Sequence, residues 1–181
     1  MNWNYREDRA AQAAARLLRA AGGRLPYMKL LKLLYLADRR GLLEMGRPIT
    51  FDRYVSMPHG PVLSRTYDVM CSEPDPLVAS YWSGFIDREG YDVTLRGPVP
   101  NDQLSPAEEQ LLDAVWAEYG HFDKWALRDF THTLAEWQNP NGSSIPIEVR
   151  DILRAQGVSA EDADAILESL AAAADVELKL A

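Results

Sequence analysis

The order of apolar and polar positions predicts a mostly helical chain with one central helix. Residues 28–37 are apolar on almost every side, apart from a narrow polar stripe that contains Lys29 and Lys32. A helix with this pattern must be buried on most of its sides, and we expect it over residues 27–45. The same spacing of apolar residues predicts further helices over 5–21, 61–72, 106–119, 123–137, 146–156 and 160–175.

Several of these helices carry local start signals. Ser105 stands three residues before Glu108, which is the arrangement of a capping box. Asp123 and Ser159 are each suited to accept hydrogen bonds from the first backbone amides of the helix that follows. Pro61 is suited to be the first residue of the third helix, because its fixed φ matches the helix and its missing N–H is not needed there.

Two segments between helices have the alternation of strands. Residues 50–57 place β-branched and aromatic residues at alternate positions, and residues 85–95 read as a hairpin that turns near Gly90. An isolated hairpin is marginal in water, so we expect it to pack on the helices beside the 50–57 strand. The predicted fold class is mainly α (α+β): a helical domain around a buried central helix, with a small two- to three-stranded antiparallel sheet. We assign residues 1–155 to this domain and residues 156–181 to a C-terminal helical extension packed on it.

The composition is that of an ordinary globular protein, with 47% hydrophobic and 25% charged residues. Apolar runs such as residues 33–37 are far shorter than the roughly 18 residues of a membrane-spanning helix, so no membrane association is predicted. The first residues are polar and lack the apolar core of a signal sequence. The single cysteine, Cys71, excludes an internal disulfide and fits a reducing compartment, so we expect a cytoplasmic protein.

Charge is unevenly distributed along the chain. Residues 1–60 carry 11 Lys and Arg against 5 Asp and Glu, residues 61–181 carry 8 against 22, and the net charge is −8. Helical spacing places four arginines on one face of the first helix, namely Arg6, Arg9, Arg16 and Arg19. This face is either a solvated polar face or a surface that follows nucleic-acid phosphates. The net negative charge opposes nucleic acid at long range, so a transcriptional regulator is the alternative hypothesis rather than the first one.

Candidate catalytic and metal-binding chemistry is sparse. His59, His121 and His132 are far apart in sequence, and no His-x-x-x-His or Cys-x-x-Cys spacing is present, so no metal site is predicted. The Gly60 turn lacks the glycine pattern and lysine of a phosphate-binding loop, so no nucleotide cofactor is predicted. Cys71 lies in acidic sequence, which disfavours its reactive thiolate. We therefore predict a protein without cofactor that is not an enzyme.

One set of residues, spread over three segments, forms a recognisable pattern. Its members are Lys29, Leu30, Lys32, Leu33, Tyr35, Ala37 and Asp38 on the central helix, then Gly46, Pro48, Ile49, Thr50, Tyr54, Gly60, Pro61 and Tyr67, and finally Thr131, His132 and Trp137. Together these positions resemble the Panacea domain, an antitoxin domain also called SocA-like or GepA-like. The resemblance covers roughly residues 8–155, and the remaining residues are the extension.

The resemblance implies an antitoxin of a bacterial or phage-associated toxin–antitoxin system, which binds and neutralises a cognate toxin protein. Some members act as adaptors that deliver the toxin to a cytosolic protease complex. The resemblance supplies no catalytic residues. Our own interpretation is that the motif residues are structural, namely Lys29, Lys32, Tyr35, Asp38, Gly46, Pro48, Tyr67, Thr131, His132 and Trp137. We expect the partner to bind around the 50–57 strand and the following turn, because exposed turns on a rigid scaffold often carry recognition. The candidate partner-binding residues are Tyr54, His59, Gly60 and Pro61.

Overall fold

The structure is a computed structural model that describes residues 4–71 and 80–180, with side chains up to Val176. Its α-helices are α1 (Glu7–Ala20), α2 (Tyr27–Met45), α3 (Ser64–Cys71), α4 (Pro106–Tyr119), α5 (Lys124–His132), α6 (Val149–Ala155) and α7 (Ala160–Leu180). Its strands are β1 (Arg24–Pro26), β2 (Tyr54–Met57), β3 (Gly60–Leu63), β4 (Ile86–Glu89), β5 (Asp92–Leu95) and β6 (Ile145–Ile147). A short 3₁₀ turn spans Trp82–Gly84.

Helix α2 is the centre of the fold, as the sequence pattern predicts. Leu30, Leu33 and Leu34 are completely buried, and α1, α4, α5 and α6 pack around the helix. Leucine is both a strong helix former and a large apolar side chain, so the same residues that form this helix also fill the core. The predicted fold class is confirmed.

The strands form two separate three-stranded antiparallel sheets, in the orders β1-β5-β4 and β3-β2-β6. The hairpin predicted over residues 85–95 is present as β4 and β5, with Arg88 opposite Val93. It does not lie beside the predicted 50–57 strand, because β5 pairs with β1 and β2 pairs with β3 and β6. Strands β1 and β6 have three residues each, which is too short for a periodic pattern to reveal.

The prediction that Pro61 begins a helix is wrong. Pro61 lies in β3, opposite Ser56 of β2, and α3 begins only at Ser64. Strand β3 is at the edge of its sheet, where a residue without a backbone N–H is tolerated. The capping group of α3 is instead the buried carboxylate of Asp52, which accepts hydrogen bonds from the backbone amides of Arg65 and Thr66 at 2.9 and 2.8 Å.

The predicted capping signals are confirmed. Ser105 and Glu108 form a reciprocal capping box at the start of α4. The Asp123 carboxylate accepts hydrogen bonds from two amides of the first turn of α5, and the Ser159 hydroxyl accepts one from the amide of Asp162 in α7. Among the described residues, no helix is long and apolar enough to cross a membrane.

The C-terminal segment contacts the rest of the chain through α6. Ala163 and Leu170 of α7 are buried within the main hydrophobic core, and α7 packs on α6. The division of the chain into residues 1–155 and an extension over 156–181 stays a prediction, and its last residue lies outside the described residues.

Candidate functional site

The polar stripe of α2 is buried and anchors distant segments of the chain. Lys29, Lys32, Tyr35 and Asp38 lie on this helix, and each of their side chains bonds to a group outside it. Lys29 Nζ donates to the carbonyl of Gly120 at 2.7 Å, and burial lowers the pKa of this ammonium group. A polar group buried in this way must find a partner, so these bonds join α2 to the loops around it.

Asp38 organises the segment that follows α2. Its carboxylate accepts hydrogen bonds from the backbone amides of Ile49 and Thr50, at 2.8 and 3.0 Å, and from the hydroxyls of Thr50 and Tyr54. Burial raises the pKa of this carboxyl group to about 6, although the four donated bonds favour its charged form. Gly46 closes α2 in the left-handed conformation, at φ 66°, which allows the chain to turn back towards Asp38. The buried residue Pro48 lies within this return.

Lys32 holds the turn between β2 and β3. Its Nζ donates to the carbonyl of Pro61 at 2.7 Å, and complete burial lowers the pKa of the ammonium group to about 7. Gly60 adopts φ +95°, and a Cβ at this position would lie 2.7 Å from Thr131 Oγ1 and 3.0 Å from Lys32 Nζ. Position 60 therefore requires glycine both for its backbone angle and for the approach of α2 and α5.

His132 and Trp137, the last motif residues, contact the same turn from the segment at the end of α5. The His132 and Trp137 rings stack with centroids 4.0 Å apart, and Trp137 Nε1 donates to the carbonyl of Met57 at 3.2 Å. Burial lowers the pKa of His132, and its Nε2 is buried without a hydrogen-bond partner among the described residues. Tyr67, on α3, is half-buried against the core. Segments more than 70 residues apart in sequence thus meet around residues 57–61.

Three buried acidic residues that the motif does not contain complete this framework. Glu136 accepts hydrogen bonds from the Tyr35 hydroxyl at 2.9 Å and from Arg39 at 2.7 Å. The Glu108 carboxylate accepts a hydrogen bond from the Ser105 backbone amide of its capping box, and it also forms ion pairs with Arg9 and Arg47. The third is Asp52, the capping group of α3. Their partners are remote in sequence, so only the capping role of Glu108 had a local signal.

The four candidate partner-binding residues are not all accessible. Tyr54 is only 3% exposed, and Gly60 and Pro61 are also buried. His59, at the tip of the β2–β3 turn, is the one of the four that is exposed. Tyr54, Gly60 and Pro61 therefore support the turn from inside, and His59 is the candidate that lies at the surface.

Helix α5 adds an exposed aromatic residue beside His59. The Trp125 ring lies 6.5 Å from the His59 ring and is 48% exposed. Helix α5 ends at His132 rather than at residue 137 as predicted, and its buried side chains are Leu127 and Thr131.

The arginine face of α1 is engaged within the molecule. Arg9 bonds to Glu108, Arg16 lies 2.8 and 2.6 Å from carboxylates of α4, and Arg19 donates to the carbonyl of Val99 at 2.7 Å. The partners of Arg16 are Glu109 and Asp113. These arginines join α1 to α4 and to the segment before it, so the face packs on protein rather than facing solvent throughout.

The described residues contain no group of three or more His, Cys, Asp or Glu side chains suited to a metal ion. Burial raises the pKa of the Cys71 thiol, which disfavours its nucleophilic form. A cleft of about 720 Å³ opens beside β2, β6 and the start of α6, and Arg53, Glu148 and Arg150 are among its lining residues. None of the motif residues except Tyr54 lines this cleft.

The comparisons with known proteins give one match. The family model described as "Antitoxin SocA-like, Panacea domain" matches residues 30–138, which is more than half of the chain. No curated protein and no solved structure matches. The matched range contains the Asp38 centre, the Lys32–Gly60 contact and the His132–Trp137 stack.

Proposed function

The chain belongs to the family of SocA-like antitoxins with a Panacea domain, and from this membership we propose that it binds a toxin protein and neutralises it. The family match over residues 30–138 is the observation that carries the proposal. The partner is a cognate toxin, encoded beside this chain in a bacterial or phage genome, and the two proteins meet in the cytoplasm.

The buried framework supports neutralisation by binding. Its polar side chains, including Lys32, Asp38 and Glu136, form internal hydrogen bonds that hold loops in place. Catalysis needs a nucleophile or an acid–base pair that a substrate can reach. The motif residues instead form a rigid scaffold that presents the β2–β3 turn, and a scaffold of this kind suits a protein that acts through its surface.

Co-expression with the neighbouring gene tests the proposal. Both genes are placed under separately titratable promoters, and growth is measured over a range of expression ratios. We expect growth arrest by the neighbour alone and relief that saturates near equal amounts of the two proteins. A neighbour that is harmless alone contradicts the proposal, and relief at a large molar excess of toxin indicates catalysis instead.

Neutralisation by delivery to a cytosolic protease is a variant of the same function, and the toxin's lifetime separates the two. If the chain only masks the toxin, toxin levels after a translation block stay constant or rise when the chain is present. If the chain is an adaptor, the toxin disappears faster in its presence, and deletion of the protease restores the toxin level.

No observation favours the alternative of a nucleic-acid-binding regulator. The arginines of α1 are engaged with α4 and the preceding segment, and the net charge of −8 opposes a polyanion. We expect duplex DNA to bind no better than non-specifically, with Kd about 10⁻⁴–10⁻⁶ M at physiological salt. Tight and sequence-selective binding in a gel shift would reverse this order of hypotheses.

A further inference from the structure

Six residues from four separate segments form a continuous row of aromatic and cationic groups. The row consists of Tyr27, His59, Tyr91, Lys124, Trp125 and Arg128, and we call it the cation–aromatic ladder. The rings of Tyr27 and Tyr91 stack 6.3 Å apart, and Lys124 Nζ lies 6.0 Å from the Tyr91 ring centroid and 5.1 Å from that of Trp125. The guanidinium carbon of Arg128 lies 4.9 Å from the Trp125 ring centroid. The His59 and Trp125 ring centroids are 6.5 Å apart, and the two rings meet edge to face.

The ladder is open to solvent at Tyr91 and Trp125. Tyr91 is 74% exposed and Trp125 is 48% exposed, which makes them two of the few large hydrophobic side chains on the described surface. Exposed aromatic groups in one contiguous patch are typical of interaction sites, since a solitary protein gains nothing by hydrating them.

The ladder also leaves positive charge available. The carboxylate of Asp123 accepts hydrogen bonds from two backbone amides at the start of α5, and Asp129 forms an ion pair with Arg128. Within the described part of the chain, Lys124 has no carboxylate within 4.0 Å. A carboxylate from outside therefore finds an ammonium group that lies between two rings and has no direct ion pair, although the nearby Asp123 carboxylate, whose pKa Lys124 helps to lower, offsets part of its charge.

We propose that the cation–aromatic ladder is the docking surface for the toxin, which places on it a segment that carries carboxylates beside apolar side chains. This inference rests on the proposed function, since the partner is the toxin. Trp, Tyr and Arg are the residue types that dominate binding energy at protein interfaces. The carboxylate pairs with Lys124 while the apolar groups cover Trp125 and Tyr91.

A protein segment fits the ladder better than a nucleic acid does. Bases also stack on aromatic rings, but a strand binds through a track of cations along its phosphates. Here Arg128 already has a carboxylate partner, and the whole chain carries −8. The long-range field is screened beyond about 10 Å, so Lys124 still attracts a single carboxylate at contact distance.

Calorimetric titration with the purified product of the neighbouring gene tests the docking surface. We expect Trp125→Ala to weaken binding by about thirtyfold or more, as for a central anchor residue. Lys124→Glu should weaken binding more than Lys124→Ala does, because it adds repulsion to the loss of the ion pair. The matched controls are Leu43→Ala and Arg40→Glu, at exposed or half-exposed positions that lie about 20–24 Å along α2 from Tyr27. Both controls should bind within about twofold of wild type, and thermal unfolding should show that all variants are folded.

Each other result has a defined meaning. If the toxin binds the wild-type chain and the ladder variants equally well, the docking surface is wrong while the proposed function stands. If the wild-type chain neither binds nor neutralises the neighbour, both proposals fail. Tighter binding by Lys124→Glu would show that the partner segment is basic, which overturns the inference. Competition between the toxin and a single-stranded RNA oligonucleotide, lost in Trp125→Ala, would assign the ladder to nucleic acid and also overturn it.

Discussion

Replacement of Asp38 by alanine tests the buried framework most directly. In the structure this carboxylate accepts hydrogen bonds from the backbone amides of Ile49 and Thr50 and from two hydroxyl groups. Asp38 itself has no solvent exposure. Asp38→Ala leaves two buried amides without a partner, and each costs about 1–3 kcal/mol. We therefore expect the free energy of unfolding to fall by about 2–6 kcal/mol. Domains are stable by about 5–15 kcal/mol, so this loss is a substantial part of the total stability.

Two milder variants provide stability losses with which the loss of Asp38→Ala is compared. Asp38→Asn keeps one oxygen for the two amides and removes a charge whose burial already raises the pKa of Asp38 to about 6, so we expect it to cost clearly less than Asp38→Ala. Tyr54→Phe removes a single hydrogen bond and should cost about 1 kcal/mol. The control is Asp129→Ala, because this carboxylate is exposed and its ion pair with Arg128 contributes less than about 1 kcal/mol.

Urea unfolding, followed by tryptophan fluorescence at neutral pH, measures the free energy of unfolding of all four variants. The comparison is valid where the denaturant dependence, m, is unchanged. A loss below about 1 kcal/mol for Asp38→Ala, or one smaller than that of Tyr54→Phe, would show that the two amides do not depend on this carboxylate. An Asp38→Asn variant that loses as much stability as Asp38→Ala would also contradict this account, because its retained oxygen can still accept from both amides.

Further variants test the turn that the framework holds. Gly60→Ala should lower the free energy of unfolding by at least about 2 kcal/mol, through left-handed strain and the contact with Thr131 Oγ1, whereas Gly90→Ala, which has φ +64° and open space, should show only the strain of about 1–2 kcal/mol. A Thr131→Ala background should reduce the Gly60→Ala loss in denaturant titrations, and an unchanged loss contradicts the contact. Lys32 is charged in the unfolded chain and neutral in the fold between pH about 7 and 10.5, so stability should rise with pH across this window, by up to about 1.4 kcal/mol per unit. Lys32→Met should flatten that slope, and equal slopes in both proteins would show that Lys32 is not the titrating group. His59→Ala should weaken toxin neutralisation in the co-expression assay with no change in melting temperature, and full neutralisation would place the partner elsewhere.

The sequence alone was sufficient for features that depend on neighbouring residues. The capping box of Ser105 and Glu108 satisfies orphan amides within one turn, so three residues of sequence specify it. The apolar pattern of residues 28–37 likewise determines that α2 is buried, because no exposed helix tolerates apolar residues on almost every side. The family resemblance also followed from the sequence, and the family model matches residues 30–138.

Only the tertiary structure decided features that depend on remote partners. Pro61 has the local chemistry of a helix start, but pairing with β2 places it in a strand. Tyr54 is a candidate partner-binding residue by its place in the predicted strand, yet its hydroxyl donates to Asp38 and its ring is buried. Such outcomes arise because the free energy of a buried polar group depends on what the fold brings to it, and no local pattern contains that partner.

The same distinction applies to the candidate interaction surface. Sequence reasoning identified His59 from its turn, because turns have local signals in Pro and Gly. It missed Trp125 and Tyr91, whose spacing in the chain gives no sign that one lysine lies between them. Contact between α5 and the β4–β5 turn is a product of how the helices and sheets pack around α2. The chain's own sequence thus determined the scaffold and its family, and packing of that scaffold decided which side chains a partner can reach.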